Sequence, residues 1–234
     1  MKETPTIAEL PQFDLFINGQ TVPAESKGCF DSLNPSTGEI LAKLAEATEN
    51  DIRKAITAAR RAFDEGPWSQ LSVRERGQSL LKVANLIREN AKVLAELECL
   101  DTGKTIKQTT FIDVPTAADC FEYFAGAGGE LKGDQIPVAD PVLSIIEREP
   151  VGVVACIIPF NYPLIMAAWK IAPALMAGNT IVFKPSPLAS VSIMKLAQLL
   201  GAAGLPEGVL NFVTSSQPPI SALLVQHPSV DMVS

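Results

Sequence analysis

Between Val151 and Met166 the chain reads VGVVACIIPFNYPLIM, and one carboxamide, Asn161, stands there between Pro159 and Pro163. Each proline ring fixes φ at its own position, so the backbone is stiffened on both sides of that side chain. A carboxamide N–H held this way can donate to a developing oxyanion, a contact whose removal costs about 10²–10³ in rate where enzymes use one. The same residue could instead cap the helix that follows, with Pro163 near the first helical position. Lys184 closes a second apolar run, TIVFK, just before Pro185. Its ammonium could bond ribose hydroxyls or a phosphate. It could equally be a surface lysine at a strand end.

The remaining reactive side chains point to little chemistry of their own. Cys29, Cys99, Cys120 and Cys156 form no CxxC pair, and none has a base or electropositive neighbour in sequence. Cys156, between Ala155 and Ile157, reads as a small core residue. The single histidine, His227, precedes Pro228 and reads as a capping residue. With one histidine, neither a Ser-His-Asp triad nor a His/Cys zinc centre is expected, and no metal site is assigned. Lys170 interrupts an apolar helix face; it either snorkels to solvent or is a buried group that handles protons. No GxGxxG follows any strand, so the ordinary dinucleotide fingerprint is absent.

These side chains belong to a chain of 234 residues, 47% hydrophobic and 19% charged, with a formal net charge of −7. That composition is globular, and the length suits one large domain or a domain with an appendage. Acidic and basic residues are interspersed without a basic cluster, which disfavours nucleic acid and anionic membranes as partners. Scattered cysteines suit a reducing, cytoplasmic setting. The start, MKETPTIAEL, has neither an apolar signal core nor an Arg-rich bias. The longest apolar tract, Pro163 to Phe183, is broken by Lys170, Pro173, Gly178 and Asn179, too interrupted to span a bilayer.

The positioning elements follow from local pattern. LFINGQTV predicts a hairpin turning at Asn18-Gly19, and NPSTGEI a turn into a strand. Thr48 with Asp51, and Ser72 with Glu75, predict capped helix starts. A third helix runs from about Ala91 to Leu100 with Gly103 as its stop, and a fourth from Pro115 to Ala127. Residues 131–150 are extended and Pro-punctuated, either a hairpin arm or a simple surface connection. From Val151 the chain alternates buried strand and helix as β-α-β-α-β-α-β, which predicts one parallel sheet. Ligands of such sheets bind beyond the carboxyl ends of the strands, where Asn161 and Lys184 both fall.

EPVGVVACIIPFNYPL, AAWKIAPALMAGNTIVFKPS, AAGLPEGVLNFV and QHPSVDMVS, with FINGQ, NPSTGEI and ECLDTGKT upstream, together resemble the aldehyde dehydrogenase superfamily. The resemblance runs from about Leu15 to the last residue. It implies that family's α/β fold in truncated form, a Rossmann-like parallel sheet with N-terminal helices and a projecting oligomerisation hairpin. Residues 1–130 would supply N-terminal strands and helices of the cofactor-binding domain, 131–150 the arm, and 151–234 the first half of the NAD(P)-binding sheet, with the catalytic domain absent. The implied reaction is oxidation of a small aldehyde to a carboxylate with NAD or NADP. Asn161 would donate to the oxyanion of the thiohemiacetal. Ile158, Pro159 and Phe160 would make backbone or apolar contacts to the cofactor. Lys184 would bond the adenosine ribose, with Ser186 and Pro187 beside it. Lys170 matches a lysine sometimes assigned to proton relay. The implied partners are further copies of the chain or a full-length relative.

Three departures from the family pattern add expectations. Pro187 stands where a glutamate usually grips the ribose hydroxyls. Without that carboxylate nothing repels a 2′-phosphate, so both nucleotides stay open, with a lean towards betaine-aldehyde or aminoaldehyde relatives. SSQPPIS replaces a glycine-rich loop, so Ser215, Gln217 and Ser221 could crowd the adenine and pyrophosphate. The family's general-base glutamate and nucleophilic cysteine lie beyond the stretch that these 234 residues match, so this chain alone is expected to be inactive. The alternatives are a non-catalytic truncated isoform or fragment acting in cofactor binding or assembly, and a gene-model artefact.

Overall fold

The structure, a computed structural model, describes residues 11–130 and 132–234. The MKETPTIAEL segment and Leu131, the first residue of the expected arm, lie outside the described residues. A short strand β1 (Gln12–Phe13) leads to the hairpin of β2 (Leu15–Ile17) and β3 (Gln20–Val22). Asn18 and Gly19 take φ of 54° and 78°, the left-handed pair whose twist matches the flanking strands in a two-residue hairpin. β4 (Cys29–Leu33) and β5 (Ile40–Ala45) pair antiparallel, and β1 joins β5 in parallel to complete a three-stranded sheet.

Helices come next: α1 (Glu49–Asp64), α2 (Val73–Glu89) and α3 (Ala91–Thr102). Both expected capping boxes are formed, Thr48 with Asp51 and Ser72 with Glu75. Gly103, at φ 73°, ends α3 in the left-handed conformation that glycine adopts without strain. A short turn, α4 (Ile106–Gln108), runs through a π-helical turn at Thr109–Asp113 into α5 (Val114–Ala127). The π turn adds a residue to the helical ladder. It turns Thr109 and Asp113 inward and leaves Phe111 and Ile112 exposed. Residues 131–150 do contain a hairpin, β6 (Asp134–Ile136) with β7 (Ser144–Ile146), rather than a plain connection.

Strand and helix then alternate: β8 (Val153–Ile157), α6 (Pro163–Met176), β9 (Thr180–Lys184), α7 (Val191–Ala202), β10 (Leu210–Phe212), α8 (Pro218–Gln226) and β11 (Met232–Val233). These four strands are parallel, in the order β11-β8-β9-β10. The parallel sheet expected from Val151 onward is thus present, and the first hairpin extends it. β2 pairs antiparallel with β10 and carries β3 beyond it, making a six-stranded mixed sheet. The physical reason is the otherwise bare outer edge of β10. Asn211 secures the junction: its Oδ1 accepts the Asn18 N–H at 2.9 Å and its Nδ2 donates to Gly208 O at 2.8 Å.

Strand alternation builds two cores, one on each face of the sheet. Val154, Cys156, Ile181, Phe183 and Phe212 pack with α2, α5, α6 and α7. Val153, Ala155, Val182 and Val213 pack with α1 and α8. Both faces of β8 and β9 are therefore buried, which is why β8 and the middle of β9, Ile181–Phe183, are apolar on both faces. No helix of the described residues is long and apolar enough to cross a membrane.

Candidate functional site

The chain proceeds from β8 to β9 to β10 and then crosses back to place β11 on the other side of β8. The carboxyl ends of β8 and β11 thus flank a reversal of strand order, the place where open α/β sheets bind ligands. Asn161 lies in the loop that leaves β8 there. Its backbone does not cap α6. Tyr162 holds the N-cap position, at φ −141° and ψ 65°, and makes no side-chain capping bond. Asn161 precedes that cap, is exposed, and its carboxamide has no hydrogen bond to any described residue. The capping alternative is therefore not realised, and the amide is available to an outside acceptor.

The loops after β8 and β9 are tied together by the Ile158 N–H, which donates to Lys184 O at 3.3 Å. Ile158 itself is buried in the core, so it could touch a ligand only through its carbonyl. Pro159 and Phe160 are exposed on the rim. Phe160 and Pro187 line one cleft of about 450 Å³ together with Leu188, Leu33 and Pro35. Ser186 shapes the turn between them: its Oγ accepts the Leu188 N–H and its carbonyl accepts the Ser190 hydroxyl.

Lys184 is not a surface lysine. It is 4% exposed, and among the described residues its Nζ reaches only Pro185 O, at the outer limit of 3.5 Å. Burial lowers its pKa, opposed in part by the charge of Glu46. A desolvated ammonium without a close acid partner is costly unless something else satisfies it. Glu46 acts on it only through its field, with no ion pair between them; the Glu46 carboxylate accepts the Ser215 and Ser216 hydroxyls and the Ser216 N–H. Ser215, one of the three residues expected to crowd a nucleotide, is thereby held with Ser216 against β5's end. Gln217 is exposed and Ser221 is half-buried on α8.

The absent glycine fingerprint has a structural counterpart. Phosphates in dinucleotide folds usually sit on free N–H groups at a helix N-terminus. Here α3 supplies carboxylates to two such termini: Glu98 Oε1 accepts the Leu164 N–H of α6 at 3.3 Å, and Asp101 Oδ2 accepts the Val191 N–H of α7 at 2.7 Å. The third helix, α8, begins with Pro218 and Pro219, which have no N–H to give. A nucleotide on this rim would depend on Lys184 and the strand-end loops instead. Sequence reading assigned nothing to Glu98 and Asp101; their only local signal is that both are acidic on one side of an otherwise apolar-facing helix.

Burial pushes the Glu98 carboxyl up to about 7, against the bonds from Ser192 and Leu164 and the charge of Lys104. It pushes Asp101 up to about 6, against Ser32 and Val191. Glu98's folded pKa lies above its ordinary 4.5, so its contribution to stability is complete below about 4.5 and is lost as pH rises through about 7. Glu98→Gln, which keeps an acceptor for Leu164, is expected to flatten the decline of Tm between about pH 5 and pH 8. A decline as steep as the parent's would show that Glu98 is not its source.

The other candidates resolve plainly. Cys156 and Cys120 have thiols pushed up by burial to about 12 and about 11, so neither is a thiolate near neutrality. His227 Nδ1 accepts the Ser229 N–H at 3.2 Å, a turn cap. Lys170 is half-exposed and reaches from α6 to Ser234 Oγ, just past β11, at 3.0 Å, with its head near solvent as a snorkelling lysine keeps it. Among the described residues no three His, Cys, Asp or Glu side chains are grouped to hold a metal.

The fold is found in known proteins. The family model described as the aldehyde dehydrogenase family matches residues 21–234. An aldehyde dehydrogenase of Bacillus cereus, solved with NAD+, is 40% identical with a TM-score of 0.93, over 95% of this chain and 45% of that one. An NAD-dependent aldehyde dehydrogenase of Sinorhizobium meliloti is 38% identical with a TM-score of 0.94, over 98% and 46% of the two chains. A betaine aldehyde dehydrogenase of Staphylococcus aureus, also with NAD+, is 38% identical with a TM-score of 0.91, over 94% and 45%. The chain spans about half the length of these structures. By sequence and by fold alike, the chain belongs to the aldehyde dehydrogenase family.

Proposed function

We propose that the polypeptide carrying this chain oxidises a small aldehyde to a carboxylate with NAD or NADP, and that this chain contributes the oxyanion donor and part of the nucleotide site. The observation that carries the reading is the Asn161 carboxamide, exposed, without a hydrogen bond to any described residue, and on a stiffened loop at the switch point of the sheet. Attack on the aldehyde carbon turns the carbonyl oxygen into an oxyanion, and Asn161 Nδ2–H is the group placed to receive that charge. The attacking thiolate and the carboxylate that activates water for deacylation come from sequence beyond these residues. The nucleotide, when bound, accepts hydride. Lys184 would bond its ribose, the Ile158 carbonyl with Pro159 and Phe160 would line it, and Ser186 and Pro187 would form the adjoining turn. Four unpaired cysteines suit a reducing cytoplasm.

The test is nucleotide reduction by the natural polypeptide against a panel of aldehydes, with both NAD+ and NADP+ and with Asn161→Ala as the comparison. Failure to reduce either nucleotide, or full activity in the variant, would defeat the reading. The nucleotide contact has its own expected result. Lys184→Met should leave Tm unchanged or slightly raised, because it removes a desolvated charge, while nucleotide affinity falls about ten- to a hundredfold. Loss of stability without loss of affinity would make Lys184 structural.

A second role, in assembly, is favoured by the hairpin arm. Leu143 and Ile145 on one side, and Ile136 and Val138 on the other, are exposed apolar side chains on a two-stranded ribbon. Such a ribbon is marginal alone and gains from pairing with another chain of the same family.

A further inference from the structure

Beside Asn161 lies a set of charges that the proposed chemistry leaves unused. Lys104, two residues past the end of α3, places its Nζ 2.6 Å from Asp113 Oδ2. The same Nζ stands 3.8 Å from the centre of the Tyr162 ring. The Lys104 side chain is 13% exposed and that of Asp113 fully buried. Asp113 is directed inward by the π turn, and its Oδ1 has no partner among the described residues. A buried pair of this kind contributes little net stability compared with apolar packing, so stability alone does not account for it.

Tyr162 directly follows Asn161. Its carbonyl accepts the Met166 N–H at 2.9 Å and so starts α6. Its side chain makes no capping bond, and the ammonium of Lys104 is what meets its ring face. Two residues on, Glu98 grips the Leu164 N–H and the Ser192 hydroxyl from below. The segment that leaves Asn161 is thus held at two points by buried charge, once on the ring and once on the backbone. Pro159 and Pro163 limit its backbone, but they do not choose the direction in which the carboxamide points.

We propose that Lys104 is a positioning residue: its ammonium, anchored by Asp113 against the face of Tyr162, sets the direction in which Asn161 presents its amide. The inference rests on the oxyanion reading of Asn161. In the natural polypeptide, Lys104→Met is expected to lower kcat about tenfold with nucleotide KM unchanged, the size of effect that misdirecting a catalytic contact produces. Lys104→Arg keeps a cation for both the ring and Asp113 and is expected to recover most of the rate. On an Asn161→Ala background, Lys104→Met should cost nothing further, because a residue that acts through Asn161 then has nothing to position. An additive loss on that background overturns the inference and leaves the oxyanion reading standing. Full kcat in Asn161→Ala alone removes the oxyanion reading and this inference with it. Should Lys104→Met fail to fold, Tyr162→Leu on its half-exposed side chain runs the same cycle, with Tyr162→Phe as the restoring variant and the same two outcomes.

Discussion

Asn161→Ala is expected to lower kcat for aldehyde oxidation by about 10²–10³, the cost of removing one oxyanion donor. Tm and nucleotide affinity should stay at the parent's values. The separation is expected because the carboxamide makes no hydrogen bond to any described residue and is exposed. Its removal therefore leaves no buried polar group unsatisfied and opens no cavity. The N-cap of α6 is Tyr162, acting through its backbone, so truncating Asn161 does not unwind the helix. Asn161→Asp sharpens the expectation. It keeps shape but replaces the donor with a negative acceptor, which should be at least as damaging as alanine. A fall in stability parallel to the fall in rate would indicate a structural asparagine instead.

Gly152→Ala is expected to cost about 3–5 kcal/mol of stability, combining strain at a left-handed φ with overpacking. Gly152 sits at φ 133° just before β8, a conformation that side chains rarely adopt. A Cβ there would lie 2.0 Å from Asp231 Oδ2 and 2.6 Å from its Cγ. Asp231 cannot simply swing away. Its Oδ2 accepts the Val153 N–H at 2.7 Å and the Arg60 Nη1–H at 2.7 Å. These bonds join the start of β11, β8 and α1. On a domain of this size the change should lower Tm by about 10 °C. Gly126→Ala provides the comparison. Gly126 is exposed within α5 with nothing within 4 Å of the added Cβ. That substitution should raise stability by about 0.5–1 kcal/mol through helix propensity. A Gly152→Ala protein as stable as its parent would mean that Asp231 does not hold the two strands.

Much of the local architecture was legible because its causes are local. The Asn18-Gly19 turn, the Thr48 and Ser72 capping boxes and the Gly103 stop each depend on residues within three or four positions of one another. The alternation of buried strands and helices from Val153 onward was visible for the same reason, since strands covered on both faces must be apolar throughout. The π turn at Thr109–Asp113 was not visible. No local pattern distinguishes it from an ordinary helix start, and its effect is to turn one aspartate towards a lysine nine residues earlier.

The sequence by itself determined that Asn161 would stand on a stiff loop beyond a buried strand, because Pro159 and Pro163 bracket it and the apolar run before it must be covered. It also determined that no glycine cradle for a pyrophosphate follows that strand. The tertiary structure alone decided what surrounds the loop. It placed Glu98 and Asp101 on helix N-termini 66 and 90 residues away. It buried Lys184 without an ion-pair partner among the described residues, brought the first hairpin to the edge of β10, and set Lys104 against Tyr162. Each of these joins residues distant in the chain, and such pairings are chosen by the packing of whole elements, by desolvation and by charge, none of which a local pattern records.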